Sequence, residues 1–205
     1  EPWATPTDGI DEKDIRMMRN ATRLEPFPLP SSNRSHYVPK RASYVANVAV
    51  ATSPDAGATV VREALLSTRH SLRIYTYQIT DVDIADVILD LMRERDVRVS
   101  MVLSRAIFMD SDRTASTKVV EYMRENARGN GTMSLRSSPH FFRYAHLKVL
   151  IVDDERVVVA TGNLSPSDLP FPIPRSFEPA SDSGRPVNRD FEVVIDDRRA
   201  ANAFR

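Results

Sequence analysis

Short runs of β-branched and aliphatic residues alternate with longer amphipathic segments in the first two thirds of the chain, and this alternation limits the possible folds more than any other feature. Three strands are expected in that part, at residues 44–52, 72–79 and 97–103. A helix should follow each of the first two strands, and Thr80-Asp81 is expected to cap the second helix. Strands joined by helices in this way are typical of α/β proteins.

A tight hairpin is predicted in the second half of the chain. Its strands are residues 145–152 and 156–161, and only Asp153-Asp154-Glu155 joins them. A helix at 114–128 and a short strand at 133–135 should precede the hairpin, and a last strand should cover 189–195. The predicted fold is therefore an α/β fold with a mixed, mainly parallel sheet that is flanked by helices.

The distribution of proline divides the chain into regions. Residues 1–44 are rich in Pro and Ser and are predicted to form an N-terminal arm with one short helix around residues 11–23. Residues 45–205 are predicted to form the catalytic domain, in which 166–187 is a long Pro-rich loop. The chain ends inside an expected helix that begins near Asp197, which favours a fragment of a longer protein.

Charge and cysteine content restrict the classes of function. The 28 Lys and Arg residues balance 28 Asp and Glu residues, so the whole molecule has no broad positive field for nucleic acid. The absence of cysteine excludes disulfides and thiolate metal sites. No apolar run approaches the roughly 18 residues that a membrane span needs. Four N-x-S/T sequons fit a secreted protein, at Asn20, Asn33, Asn130 and Asn163.

The predicted hairpin carries polar side chains with the spacing of a phosphate site. His146 and Lys148 are two residues apart, so on a strand both side chains would leave the same face. Thr161 and Asn163 have the same spacing on the facing strand, where they could present a hydroxyl and an amide. An imidazole, an ammonium, a hydroxyl and an amide could then share one phosphate.

The segment from His146 through Lys148 and Asp153 to Asn163 resembles the H-x-K-x4-D-x6-G-S-x-N signature of the phospholipase D superfamily. The resemblance implies that His146 attacks phosphorus and becomes a phosphohistidine. It implies that Lys148, Thr161 and Asn163 bind the phosphate oxygens, with no metal ion and no cofactor. Asp153 is expected to support the site from behind by fixing its loop through backbone N–H bonds.

A later segment, residues 188–195, resembles the part of the same superfamily that orients the nucleophile. The resemblance implies that a carboxylate there holds the imidazole through its second nitrogen, and Asp190 is predicted to do so. Glu192 shares its face of the strand and is the alternative. The chain departs from the family pattern at Ala160, where the family has Gly, and at Thr161, where Ser is usual.

The superfamily builds one active site from two such motifs, whereas this chain has one. The resemblance therefore implies that a second His-x-Lys comes from a homodimer mate or from another segment of a longer or cleaved protein. The expected substrate is a phosphodiester, with phospholipid slightly favoured over DNA or RNA. An inactive phosphate-binding or scaffolding module is the remaining alternative. The aromatic run at residues 141–144 could stack bases or contact acyl chains.

Overall fold

The computed structural model describes residues 25–26, 46–139, 142, 144–170 and 187–204. In chain order the elements are β1 (Glu25–Pro26), β2 (Asn47–Thr52), α1 (Gly57–Leu66), β3 (Ser71–Thr76), α2 (Val82–Arg95), β4 (Arg98–Leu103), α3 (Asp110–Asn126), β5 (Met133–Ser137), β6 (Lys148–Val152), β7 (Arg156–Ala160), β8 (Phe191–Asp196) and α4 (Arg198–Ala203). The expected arm helix and most of the Pro-rich loop lie outside the described residues.

The described strands form one sheet in the order β1-β5-β4-β3-β6-β7-β8-β2. The first four strands in this order, β1, β5, β4 and β3, pair with their neighbours in parallel. From β3 onward, each pair is antiparallel: β3 with β6, β6 with β7, β7 with β8 and β8 with β2. The mixed α/β fold is thus confirmed, but the expectation of a mainly parallel sheet is wrong, because antiparallel pairs are the majority. The physical reason lies after β6, where a turn too short for a crossover helix reverses the chain into β7.

Helix α2 forms where the sequence predicts it, between a side-chain cap and a charged last turn. The Asp81 carboxylate accepts hydrogen bonds from the backbone N–H groups of Asp83 and Ile84, and the helix ends at Arg95. Its apolar stripe, which includes Ile88 and Met92, is buried in the main core.

Helix α3 begins at Asp110 rather than near Thr114. None of the described helices combines the length and the apolar character of a membrane span.

Strand β6 lies in the middle of the sheet and is buried on both faces. Leu150 and Val152 belong to the main core, on the same face as Lys148, whereas Val149 and Ile151 pack with a second cluster on the other face. Because both faces are packed, the backbone that carries Lys148 is held firmly in place.

Several predicted site residues lie just beyond the ends of strands rather than within them. Strand β6 begins at Lys148, so His146 precedes it, and β7 ends at Ala160, before Thr161 and Asn163. Strand β8 begins after Asp190. The predicted strands were too long because these polar residues continue the alternation of the sequence without joining the hydrogen-bonded ladder.

Candidate active site

The His146 imidazole contacts the ammonium group of Lys148. The Lys148 Nζ lies 2.9 Å from Nδ1 and 3.1 Å from Nε2 of the ring. Lys148 is 5% exposed, whereas His146 is exposed. The ring of Tyr77 packs against the imidazole with 4.6 Å between their centres, and the Tyr77 hydroxyl accepts a 2.6 Å hydrogen bond from the backbone N–H of Phe108. A buried lysine and a fixed aromatic ring thus support an accessible imidazole.

The electrostatics of this pair favour a neutral imidazole beside a cation. Loss of water around the ring, followed by the positive charge of Lys148, lowers the pKa of His146 below its ordinary value. Burial also lowers the pKa of Lys148, while the negative charges of Asp168 and Asp190 act in the opposite direction. A neutral imidazole keeps the nitrogen lone pair that a nucleophile needs.

Asn163 is held by a carboxylate that the sequence analysis did not single out. Asp168 Oδ2 accepts hydrogen bonds from the backbone N–H and the side-chain Nδ2 of Asn163, at 2.6 and 2.8 Å. Asp168 Oδ1 accepts from Asn188 Nδ2 at 2.6 Å and from Ser167 Oγ at 3.1 Å. Asp168 itself is 4% exposed, so its carboxylate is largely shielded from water. In the sequence, the only local indication of a structured turn at Asp168 was the turn-forming Ser-Pro-Ser segment before it.

Thr161 and Asp190 form a second polar pair beside Asn163. Thr161 Oγ1 donates to Asp190 Oδ1 at 2.7 Å and accepts from the backbone N–H of Phe191 at 3.0 Å. The hydrogen bonds of the His146 ring with described residues go to Lys148 rather than to Asp190. The role of Asp190 in holding the imidazole therefore stays a prediction.

Gly162 lies close to two acidic side chains, Asp168 and Asp190. A Cβ atom added to Gly162 would lie 2.9 Å from the Cβ of Asp168 and 3.0 Å from the Cγ of Asp190. Both distances are shorter than an ordinary carbon–carbon contact. The absence of a side chain at position 162 therefore permits both Asp168 and Asp190 to lie close to this position.

Glu192, the alternative to Asp190, is fully buried and bonds to another element. Its Oε1 accepts a 2.9 Å hydrogen bond from Ser53 Oγ, and its Oε2 has no hydrogen-bond partner among the described residues. A Cβ atom on Gly57 would lie 2.1 Å from that Oε2, so glycine leaves the space that the carboxyl group fills. Burial and, to a smaller extent, the charge of Asp190 raise the pKa of Glu192, against the effect of Ser53.

The buried Glu192 carboxyl should make stability depend on pH. The pKa of Glu192 in the folded state lies above the ordinary value of 4.5. The stability that the neutral carboxyl group gives to the folded state is therefore fully present below pH 4.5 and is lost as the pH rises through the folded-state pKa. Glu192→Gln mimics the neutral form and keeps an acceptor for Ser53. We expect the variant to gain thermal stability relative to the wild type as the pH increases from 4 to 7, measured by thermal unfolding. Glu94→Gln, at an exposed position of α2, is the control. A stability difference that does not change with pH would contradict this reading.

Asp153 lies at the far end of β6 from His146 and Lys148. Its carboxylate accepts hydrogen bonds from the backbone N–H groups of Arg69, His70 and Ser71, at 2.9, 2.7 and 2.8 Å. The sequence analysis expected backbone N–H bonds of Asp153, but the bonds come from the loop before β3 rather than from its own hairpin loop. This aspartate thus joins two connections at the end of the sheet opposite the candidate site.

Comparison with known proteins identifies the fold and the family. Residues 61–173, more than half of the chain, match the family model described as "Cardiolipin synthase, PLD-like domain". Nuc, a phospholipase D family member from Salmonella typhimurium, is 24% identical, with a TM-score of 0.58, and the match covers 78% of this chain and 90% of Nuc. NucT from Helicobacter pylori is 18% identical, with a TM-score of 0.55 and coverages of 77% and 90%. No curated protein sequence gives a significant match.

The two structural relatives show a shared fold, and the family match spans the segment that contains His146, Lys148 and Asn163. The predicted motif and the matched family thus agree on the same part of the chain. The protein belongs to the phospholipase D superfamily.

Proposed function

We propose that this chain hydrolyses or transfers phosphodiesters, with phospholipids as the favoured substrates, through a phosphohistidine formed on His146. The observation that carries the proposal is the contact of an accessible imidazole with a buried ammonium, at 2.9 and 3.1 Å, inside the family motif. Nitrogen nucleophiles of this kind divide one difficult displacement into two easier steps.

In the proposed reaction, a lone pair on one ring nitrogen of His146 attacks phosphorus. A nitrogen–phosphorus bond forms, and the bond from phosphorus to the leaving alcohol oxygen breaks. Lys148 and the second N–H of the Asn163 amide, the one not bonded to Asp168, stabilise the negative charge on the phosphate oxygens as it develops. The Thr161 hydroxyl joins them when it turns from Asp190 toward the phosphate. Water or a second alcohol then attacks the phosphohistidine, and His146 is released in its original form. Asp190 orients the ring in this proposal once substrate binding draws Lys148 toward the phosphate.

The leaving alcohol needs a proton, and His146 cannot supply it while it acts as the nucleophile. The described part of the chain contains one His-x-Lys pair, so we propose that the second comes from another copy of this chain or from another segment of a longer protein. A histidine with a pKa near 7 could protonate the leaving oxygen and then deprotonate water.

The surroundings of the site favour a lipid substrate over nucleic acid. Tyr144, 38% exposed, contacts edge-on the Tyr77 ring that packs against His146. Leu147 and Phe191, each the chain neighbour of a predicted site residue, are 57% and 48% exposed. Exposed apolar groups near a phosphate site suit acyl chains. The net charge of zero gives little attraction to a polyanion. The family model is also named for a lipid enzyme, cardiolipin synthase.

A parallel assay of lipid and nucleic acid tests this proposal. The protein is incubated with mixed micelles of phosphatidylglycerol and phosphatidylcholine, and separately with single-stranded DNA, over a range of protein concentrations with the particle mass measured at each. We expect release of the head-group alcohol and an acid-labile phosphorus adduct on the protein. Cleavage of DNA alone would assign the nuclease activity instead. No product and no adduct at any concentration would leave a binding module as the better description.

A further inference from the structure

The buried carboxylate of Asp168 collects four hydrogen bonds, all of them from neutral donors. Oδ2 accepts from the backbone N–H and from Nδ2 of Asn163, while Oδ1 accepts from Asn188 Nδ2 and from Ser167 Oγ. The backbone N–H of Asp168 donates to the Ser165 carbonyl at 3.2 Å, which closes the turn that carries the carboxylate. Hydrogen bonds of this kind compensate a buried carboxylate for the water that it loses.

The bonds to Asn163 determine how its amide group is turned. A carboxylate only accepts hydrogen bonds, so the NH₂ group of Asn163 must face Asp168 and the carbonyl oxygen must face elsewhere. One N–H of this NH₂ group is bonded to Asp168, and the second remains for another acceptor. Asp168 therefore holds Asn163 in the orientation in which the amide offers a donor to a phosphate.

The bond to Asn188 connects Asp168 with the segment before β8. Asn188 Nδ2 donates to Asp168 Oδ1 at 2.6 Å, and the backbone N–H of Asn188 donates to the Ser167 carbonyl at 2.7 Å. Two residues later, Asp190 accepts the 2.7 Å hydrogen bond from Thr161 Oγ1. Asp168 thus fastens the segment that carries Asp190 to the loop that carries Asn163.

The charge of Asp168 acts on Lys148 although the two side chains form no ion pair. None of the ion pairs in the described part of the chain includes Lys148. Burial lowers the pKa of Lys148, and the negative charge of Asp168, followed by that of Asp190, opposes this effect. The other titratable groups beside Nζ are the His146 imidazole in contact with it and the Tyr77 ring, whose centre is 5.7 Å away. Asp168 therefore favours the charged ammonium without occupying it.

We propose that Asp168 is a positioning residue of the active site, which orients the Asn163 amide and supports the Lys148 charge for binding the phosphate. The inference rests on the proposed phosphodiesterase function. Asp168 lies outside the signature that ends at Asn163. Its two oxygens already accept four hydrogen bonds, so it acts through its neighbours rather than on the substrate.

Asp168→Asn tests the proposal, because it keeps the shape of the side chain but removes its charge and one of its two acceptors. The variant cannot accept from the amides of both Asn163 and Asn188. With bis(p-nitrophenyl) phosphate as the substrate, we expect kcat to fall at least about tenfold while KM stays within about threefold. The alkaline limb of the pH–rate profile should also move to lower pH, because the Lys148 ammonium loses an attractive charge.

The Lys148→Arg background separates the electrostatic role of Asp168 from a merely structural one. A guanidinium does not titrate in the range of the assay, so Asp168→Asn in this background should lower kcat without moving the alkaline limb. The thermal midpoint of each variant is measured on the same sample. Asp168→Ser, which is also polar and uncharged, serves the same purpose if the asparagine variant does not fold.

Asp81→Asn is the matched control. Asp81 is as buried as Asp168, at 4% exposed, but its carboxylate caps α2 and is not among the charges that act on Lys148. Asparagine caps helices about as well as aspartate, so kcat should stay within about twofold of the wild type and the alkaline limb should not move.

Three results with an active wild type would overturn the role of Asp168 and leave the proposed function intact. The first is a wild-type kcat in Asp168→Asn, and the second is a lower kcat with an unmoved alkaline limb. The third is an equal movement of the limb in the Lys148→Arg background. No hydrolysis by the wild type, of this ester or of phosphatidylglycerol, would overturn the proposed function and the role of Asp168 with it.

Discussion

Replacing His146 by alanine is expected to lower kcat for phosphodiester cleavage by roughly 10⁴-fold or more. The reason is that the reaction loses the atom to which phosphorus becomes bonded, and no other described side chain offers a neutral nitrogen beside Lys148. The fold should persist, because the ring is exposed and its described contacts are with Tyr77 and Lys148. Turnover of a chromogenic phosphodiester, the acid-labile adduct and the thermal midpoint should be measured on the same sample.

His70→Ala is the matched control for this prediction. His70 is also exposed, but it precedes β3, whereas Lys148 pairs with Thr76 at the other end of that strand. Turnover of His70→Ala should stay within about twofold of the wild type. Near-normal turnover of His146→Ala, or an adduct that survives the substitution, would exclude His146 as the nucleophile.

Lys148→Met should reduce kcat by about 10²- to 10³-fold, since it removes a preorganised positive charge where negative charge develops. It should not reduce stability. Burial lowers the pKa of Lys148, which means that the folded state disfavours the charged form, and methionine fills a similar space without a charge. We therefore expect a thermal midpoint at or above that of the wild type, together with the loss of turnover.

The alkaline side of the pH–rate profile separates the charge of Lys148 from its packing. Wild-type activity should fall as the pH rises through the lowered pKa of Lys148, because the neutral amine no longer stabilises the phosphate. Lys148→Arg should retain activity at higher pH, although its absolute rate is lower because the guanidinium has a different shape. Lys118→Met, at an exposed position of α3, is the control. A Lys148→Met protein with wild-type kcat would contradict the assignment.

The sequence correctly predicted helices and the hairpin where the structure of a segment depends on residues within that segment. Helix α2 needs only its Asp81 cap, its apolar stripe and its charged last turn, all within one stretch of sequence. The hairpin likewise depends on a three-residue connection between two β-branched runs, and β6 and β7 pair as expected. The superfamily was identified from the spacing of His146, Lys148 and Asn163, which is also local information.

The features that were missed depend on contacts between distant segments. Strand β2 has an apolar sequence, yet it is an edge strand in which Val48 is 57% and Val50 is 68% exposed, and composition does not reveal position in a sheet. Asp168 looked like one residue of a polar turn, and its importance comes from Asn188 folding back onto it. Gln78 carried no signal, because the contact that fixes its amide is made with Asp112 of α3, which is distant in the sequence.

The space at Gly162 has a consequence for how the site can change. Two acidic side chains, one from the loop after β7 and one from the segment before β8, share a gap that only a hydrogen atom fills. Asp168 holds the amide of Asn163, and Asp190 accepts a hydrogen bond from Thr161. A side chain at position 162 would therefore disturb both of these polar pairs with one substitution.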